Sequence, residues 1–186
     1  FLAMGYNVKC YLHEDSEKDR FIKIIKTAWD ILEKVGISEK ASLTNLFIST
    51  KISEVISGSE FVQESIPEVL SIKRELYKGL GTLVPRNVII ASSTSGLTMT
   101  DIQTSCPTPE RTVIAHPFNP PYLLPLVEIV GGKKTNPKAV EWTKSFYKLT
   151  GKEPLVMNKE VPGFVATRLQ EALWREALHM VEAGEA

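Results

Sequence analysis

Residues suited to proton transfer concentrate in His116-Pro117-Phe118-Asn119-Pro120-Pro121-Tyr122 and in Glu128, which lies in the run Leu126-Val127-Glu128-Ile129-Val130. An imidazole titrates near neutral pH, so it can take a hydroxyl proton and return it. A carboxylate on its other ring nitrogen would fix the tautomer and stabilise the imidazolium. Pro117, Pro120 and Pro121 restrict the backbone around the histidine and discourage helix. The apolar run that follows can form a strand carrying Glu128 back toward the ring. The competing reading of the same residues is a structural histidine in a rigid turn beside a solvated glutamate.

The elements that must hold this pair alternate along the chain. Val8 to Leu12 reads as a strand, followed by a helix in which Phe21, Ile24, Ile25, Ala28, Leu32 and Val35 recur at helical spacing before Gly36. Leu46 to Ile48 and Phe61 to Val62 read as strands around a short helix from Lys51 to Ile56. Pro67 can open a helix with Val69, Ile72, Leu76 and Leu80 on one face, and Val88 to Ala91 and Val113 to Ala115 have the apolar character of buried strands. A further helix is expected from about Pro137 to Leu149. The alternation predicts an α/β fold with a doubly wound parallel sheet.

After Pro154 to Met157 the pattern changes. Pro162-Gly163-Phe164 opens a long helix with Val165, Leu169, Leu173, Ala177 and Met180 along one face. Residues 1–158 are therefore expected to form one domain and residues 159–186 to begin a second, helical one. Phe1-Leu2-Ala3-Met4-Gly5 reads as the end of a helix already under way, so the chain is expected to start inside a domain.

In a doubly wound sheet, ligands sit at the carboxyl ends of the strands. Glu64-Ser65-Ile66-Pro67-Glu68, Ser92-Ser93-Thr94-Ser95 and His116 to Asn119 all fall there and can converge on one cleft. Ser95 lacks a Gly-x-Ser-x-Gly elbow, so its loop reads as hydrogen-bonding a ligand, or as helix capping, and not as a nucleophile. Lys73 could bind a ligand's oxygens or pair with Glu68 or Glu75. Neither Gly79-Leu80-Gly81 nor Gly131-Gly132 matches a Gly-x-Gly-x-x-Gly phosphate loop; if Gly5 ends the first helix, that loop belongs upstream of Phe1.

Lys plus Arg and Asp plus Glu both number 22 among 186 residues, so nothing marks the chain for nucleic acid or an anionic membrane. Cys10 and Cys106 lack metal-site or redox-dithiol spacing and read as reduced thiols of a cytoplasmic protein. No apolar run approaches the roughly 20 residues of a membrane span.

Four segments together resemble the 3-hydroxyacyl-CoA dehydrogenase superfamily, which includes lambda-crystallin. They are Phe61 to Glu68, Ala91 to Leu97, His116 to Glu128 and Glu160-Val161-Pro162-Gly163-Phe164. Phe61 to Ser65, Ala91 to Leu97 and Glu171 to His179 are most similar to its bacterial L-carnitine dehydrogenase branch. The resemblance implies a Rossmann-like NAD-binding domain lacking its first strand, then the first helix of an all-α domain that builds a homodimer. It implies a catalytic pair of His116 and Glu128, and cofactor contacts at Glu68, Lys73, Ser95 and Asn119. Substrate contacts are expected at Ser95, Asn119 and Thr167; Phe118, Tyr122 and Trp174 are candidates for an aromatic cage around a quaternary ammonium.

Two positions depart from the family. Leu12 replaces the Asp that binds the adenine ribose, which leaves NAD against NADP open unless His13, Glu14 or Asp15 substitutes. Thr167 replaces an Asn that acyl-CoA members place beside the substrate. The expected reaction is NAD-dependent oxidation of a 3-hydroxy acid, L-carnitine first. A 3-hydroxyacyl-CoA or L-gulonate dehydrogenase is the alternative within the class, and a catalytically silent crystallin-like protein the alternative outside it.

Overall fold

Short apolar strands alternating with amphipathic helices set the architecture, and the computed structural model describes residues 1–186. β1 (Val8–Tyr11) and β2 (Leu46–Ser49) pair in parallel across helix α1 (Lys18–Val35). After α2 (Ile52–Ile56), the strands β3 (Phe61–Glu64), β4 (Ile89–Ser92), β5 (Thr112–Pro117), β6 (Leu126–Val130) and β7 (Glu153–Val156) form a separate sheet in that order. Helices α3 (Leu70–Leu83), α4 (Met99–Ile102), α5 (Pro137–Leu149) and α6 (Ala166–Glu182) complete the chain.

The sheet is not parallel throughout. β3, β4 and β5 run in parallel, but β6 is antiparallel to β5, and β7 is parallel to β6. Residues 118–125 form a connection too short for a parallel crossover, which needs about a dozen residues or more, so the chain must turn back. β7, with Pro154 inside it, occupies the sheet edge, where a missing N–H is tolerated.

Strand alternation divides the core into two layers. On one face, Ile90, Ile114 and Val130 pack with Tyr77, Leu80, Met99, Ile102 and Phe164. On the other, Ala91, Val113, Ala115, Val127 and Ile129 pack with Ala139 and Tyr147 of α5. His116 and Glu128 keep step with Ile114 and Val130 and so point to the first face.

α3 is rotated from the orientation its apolar spacing predicts, with Leu80 buried and Leu76 half-buried against the core as expected. It starts at Leu70, three residues beyond Pro67; Lys73, Tyr77, Leu80 and Gly81 are buried, whereas Val69 and Ile72 are exposed. The buried carboxylate of Glu64 draws Lys73 inward and sets the rotation of the helix. α5 matches its expected bounds, with Asn136 accepting a hydrogen bond from Lys138 N at its start and Pro137 in its first turn. α6 starts later than expected, because Gly163 and Phe164 form a left-handed corner ahead of it. No residue of α6 is buried, and Leu169 and Leu173 of its apolar stripe stand 61% and 74% exposed.

Candidate active site

His116 and Glu128 are register partners across the antiparallel β5–β6 ladder, and His116 Nδ1 lies 3.0 Å from Glu128 Oε2. Their side chains are 11% and 0% exposed. The second carboxylate oxygen, Oε1, accepts hydrogen bonds from the backbone N–H groups of Val165 (2.9 Å) and Ala166 (2.8 Å). These are orphan donors at the start of α6, whose positive end favours a carboxylate. The rings of Phe118 and Phe164 pack against the imidazole with centroids 4.8 Å and 5.7 Å away. With Nδ1 facing Glu128, Nε2 is the nitrogen available to a substrate hydroxyl.

A second polar cluster lies at the carboxyl ends of β3 and β4. Glu64 Oε1 accepts hydrogen bonds from Lys73 Nζ (2.7 Å) and Ile66 N (2.7 Å), and its Oε2 accepts one from Ser92 Oγ (2.6 Å). Lys73 Nζ also donates to Ile66 O at 3.1 Å and lies 3.5 Å from Glu68 Oε2. Lys73, one of the expected cofactor contacts, is 1% exposed and lies against Glu68, which it supports. Glu68 accepts hydrogen bonds from the Thr94 hydroxyl and from the N–H groups of Ser95 (3.1 Å) and Gly96 (3.1 Å). Burial alone would raise the Glu68 carboxyl; the Thr94 hydroxyl, the Lys73 ammonium and those two N–H groups together hold it below the usual carboxylate range.

Gln63 ties three strands and α5 together. Its amide nitrogen donates to Ser93 Oγ (2.6 Å) and Ala115 O (3.0 Å), and Tyr147 donates its hydroxyl to the amide oxygen (2.6 Å). Burial pushes the Tyr147 phenol up, which keeps it a donor.

The other expected residues divide by location. Ser95 and Asn119 are exposed at the ends of β4 and β5, and neither side chain hydrogen-bonds within the protein. Thr167 follows Ala166 directly and lines a shallow groove on α6 with Gln170, Glu171, Leu173, Trp174 and Ala177. Trp174 stands two turns further on, about 10 Å along the helix axis. Of the three candidate cage rings, Phe118 packs on the imidazole, whereas Tyr122 and Trp174 do not.

A cavity lined by Tyr11, His13, Ile66, Ser71, Ile72, Glu75 and Leu76 opens between the end of β1 and the start of α3. The cavity lies outside the carboxyl end of β1, and ligands bind open α/β sheets beyond the carboxyl ends of their strands. Apolar walls from Tyr11, Ile66, Ile72 and Leu76 suit a flat ring, so the residues present fit the adenine end of a dinucleotide. Of His13, Glu14 and Asp15, only His13 lines the cavity. Glu14 instead joins Glu17 in a capping box at the entry to α1.

Glu64 and Ser92 belong to polar clusters legible at the strand ends; the pairing of Glu64 with Lys73 and the N–H groups of Val165 and Ala166 are parts of the site that spacing does not single out. A glutamate ending an apolar strand, with a lysine one helical turn into the next element, is a readable signal for that pair. Backbone donors leave none.

Residues 1–161 match the family model described as "3-hydroxyacyl-CoA dehydrogenase, NAD binding domain". The chain belongs to this family. It is 50% identical over 186 residues to an L-carnitine dehydrogenase of Streptomyces coelicolor and 45% identical over 185 residues to one of Pseudomonas putida. Each match covers 100% of this chain and 58% of the relative, so the chain spans little more than half their length. Among solved structures, an NAD⁺-dependent 5-formyl-3-hydroxy-2-methylpyridine 4-carboxylic acid 5-dehydrogenase superposes with a TM-score of 0.92 at 33% identity, over 100% of this chain and 60% of that one. A 3-hydroxybutyryl-CoA dehydrogenase from Escherichia coli K12 superposes with a TM-score of 0.90 at 26% identity, over 100% of this chain and 40% of that one.

Proposed function

We propose that this chain belongs to an NAD-dependent dehydrogenase that oxidises the 3-hydroxyl of a small hydroxy acid, with L-carnitine as the substrate. The buried pairing of His116 Nδ1 with Glu128 Oε2 at 3.0 Å carries the reading, because it leaves Nε2 as a base at the carboxyl ends of the strands. His116 takes the hydroxyl proton, and Glu128 holds the ring and stabilises the imidazolium. Bound NAD supplies the acceptor for the hydride leaving C3. Glu68, supported by Lys73, shapes the cofactor side of the cleft; Ser95 and Asn119, with free side chains, position substrate and cofactor. Thr167 borders the substrate side, and Phe118, Tyr122 and Trp174 supply aromatic faces for the trimethylammonium group.

The carnitine assignment is supported by relatives of that name at 45% to 50% identity. Residues 1–158 are read as the cofactor-binding unit and 159–186 as the start of a helical unit, in keeping with the exposed stripe of α6. A cytoplasmic homodimer is the expected form of the intact protein.

The test is NADH formation by the intact protein with L-carnitine, L-gulonate or 3-hydroxybutyryl-CoA at equal concentration. Faster turnover of carnitine supports the assignment. Faster turnover of the CoA ester overturns it and leaves the broader dehydrogenase, and no NADH from any of the three points to a silent crystallin-like protein.

A further inference from the structure

We propose that the Gly163–Phe164 corner is a positioning element for the acid/base pair. By aiming the Val165 and Ala166 N–H groups at Glu128 Oε1, it holds Oε2 on His116 Nδ1 and keeps Nε2 as the proton-accepting nitrogen. The inference rests on the reading of His116 as the base.

Two consecutive residues adopt positive φ just before α6: Gly163 at 71° and Phe164 at 50°. Glycine takes this conformation freely, but a bulky side chain does so only when its surroundings enforce it. Those surroundings are visible. Phe164 is fully buried in the core layer of Tyr77, Ile90 and Ile114, its N–H donates to Val161 O at 3.2 Å, and its ring lies 5.7 Å from that of His116. The corner thus anchors the start of α6 to the sheet face that carries the histidine, although the helix beyond it buries nothing. Its outcome is two donors converging on one oxygen of a carboxylate that is itself fully buried.

The consequence is a tautomer selection that begins in the main chain. N–H groups can only donate, so the atom facing them must be an acceptor. A carboxylate has a second acceptor oxygen to offer and accepts a hydrogen bond from Nδ1–H. An amide has none: with its oxygen on Val165 and Ala166, its NH₂ would face Nδ1 and force that nitrogen to accept, placing the ring proton on Nε2. Without the corner, an amide could turn its oxygen to the ring instead. The corner makes Glu128→Gln a tautomer switch.

The experiment reads the ring ¹⁵N shifts of His116 in the intact protein at a pH where the imidazole is neutral, with His116→Gln giving the assignment. The wild type is expected to show Nδ1 protonated and Nε2 bare. Glu128→Gln, which is isosteric, should exchange the two signals. Gly163→Val, unfavourable at positive φ, should move them toward a mixture and lower kcat by roughly tenfold, with the Kd for NADH changed less than about twofold. Gly163→Asn, which tolerates the left-handed region, should restore the wild-type pattern. The proposal is overturned if Glu128→Gln keeps the wild-type tautomer, or if a folded Gly163→Val keeps it; should Gly163→Val not fold, Glu128→Gln alone decides. Since the shifts are read without turnover, a protein that shows the expected tautomer but oxidises no hydroxy acid defeats the proposed function and not this inference.

Discussion

His116 and Glu128 face each other directly across the β5–β6 ladder, so the separation of imidazole and carboxylate is set by backbone pairing and not by a loop. A pair held by ladder hydrogen bonds needs little rearrangement to reach the reactive geometry, which is the condition under which a single base contributes most.

Replacing His116 with Gln should therefore remove the proton acceptor while preserving volume and a hydrogen bond to Glu128. Turnover in the intact protein is expected to fall by on the order of 100-fold or more. NADH affinity, measured by fluorescence titration, should remain within about twofold, because a side chain that acts on the substrate proton adds little to ground-state cofactor binding. Near-normal turnover would remove His116 from the chemistry.

Glu68 gives the molecule a pH dependence whose sign follows from its surroundings. Its folded carboxyl lies below the ordinary value of 4.5 despite burial, held there by Thr94, Lys73, Gly96 and Ser95. A depressed folded value contributes stability that is fully present above the unfolded value and is lost as pH falls through the folded one. Glu68→Gln should lower the urea midpoint at about pH 7, and the gap from wild type should shrink by about pH 3.5. A gap that is independent of pH would mean that packing, and not charge, is what the substitution removes.

Features with a strong local cause are legible in the sequence. Asn136 and Pro137 start α5 through a side-chain cap and a preset torsion, and the His116 segment announces itself through its prolines. Features set by tertiary partners were hidden. The burial of Lys73 in place of Ile72 follows from a carboxylate on another element, so helical spacing alone places Leu76 and Leu80 but not Val69 and Ile72. The reversal of β6 depends on the length of the loop before it, whose ends have no sharp signal in the sequence. The donors from Val165 and Ala166 belong to the main chain and would be the same for any non-proline residue, so only their placement, through Phe164, makes them part of the site.

Leu12 makes cofactor choice testable. Its N–H is fixed to Ser49 O at 3.1 Å, so whatever side chain stands there is held at the end of β1 beside the cavity that contains His13 and Glu75. A carboxylate at this position would bond ribose hydroxyls and repel a 2′-phosphate. Leu12→Asp should tighten NADH by about tenfold, the scale of a hydrogen bond to a charged group, while weakening NADPH. Equal changes for the two would mean that the ribose does not lie against residue 12.

The aromatic rings separate by position. A trimethylammonium group donates no hydrogen bond and gains about 0.5–2 kcal/mol from a ring face. Phe118, whose centroid is 4.8 Å from that of His116, is within reach of a substrate whose hydroxyl meets Nε2. Trp174 stands on α6, about 10 Å along the helix axis from Thr167, and its ring does not pack on the imidazole. Phe118→Leu should therefore raise the KM for carnitine by roughly 2- to 30-fold, which is that energy converted to a ratio, and Trp174→Leu should raise it less. The control is 3-hydroxybutyrate, which lacks the cation: loss of a cation–π contact leaves its KM unchanged, whereas a general distortion of the cleft raises both. If Trp174→Leu has the larger effect on carnitine, the cationic end of the substrate is held by α6, and the substrate lies along the helix instead of beside Phe118.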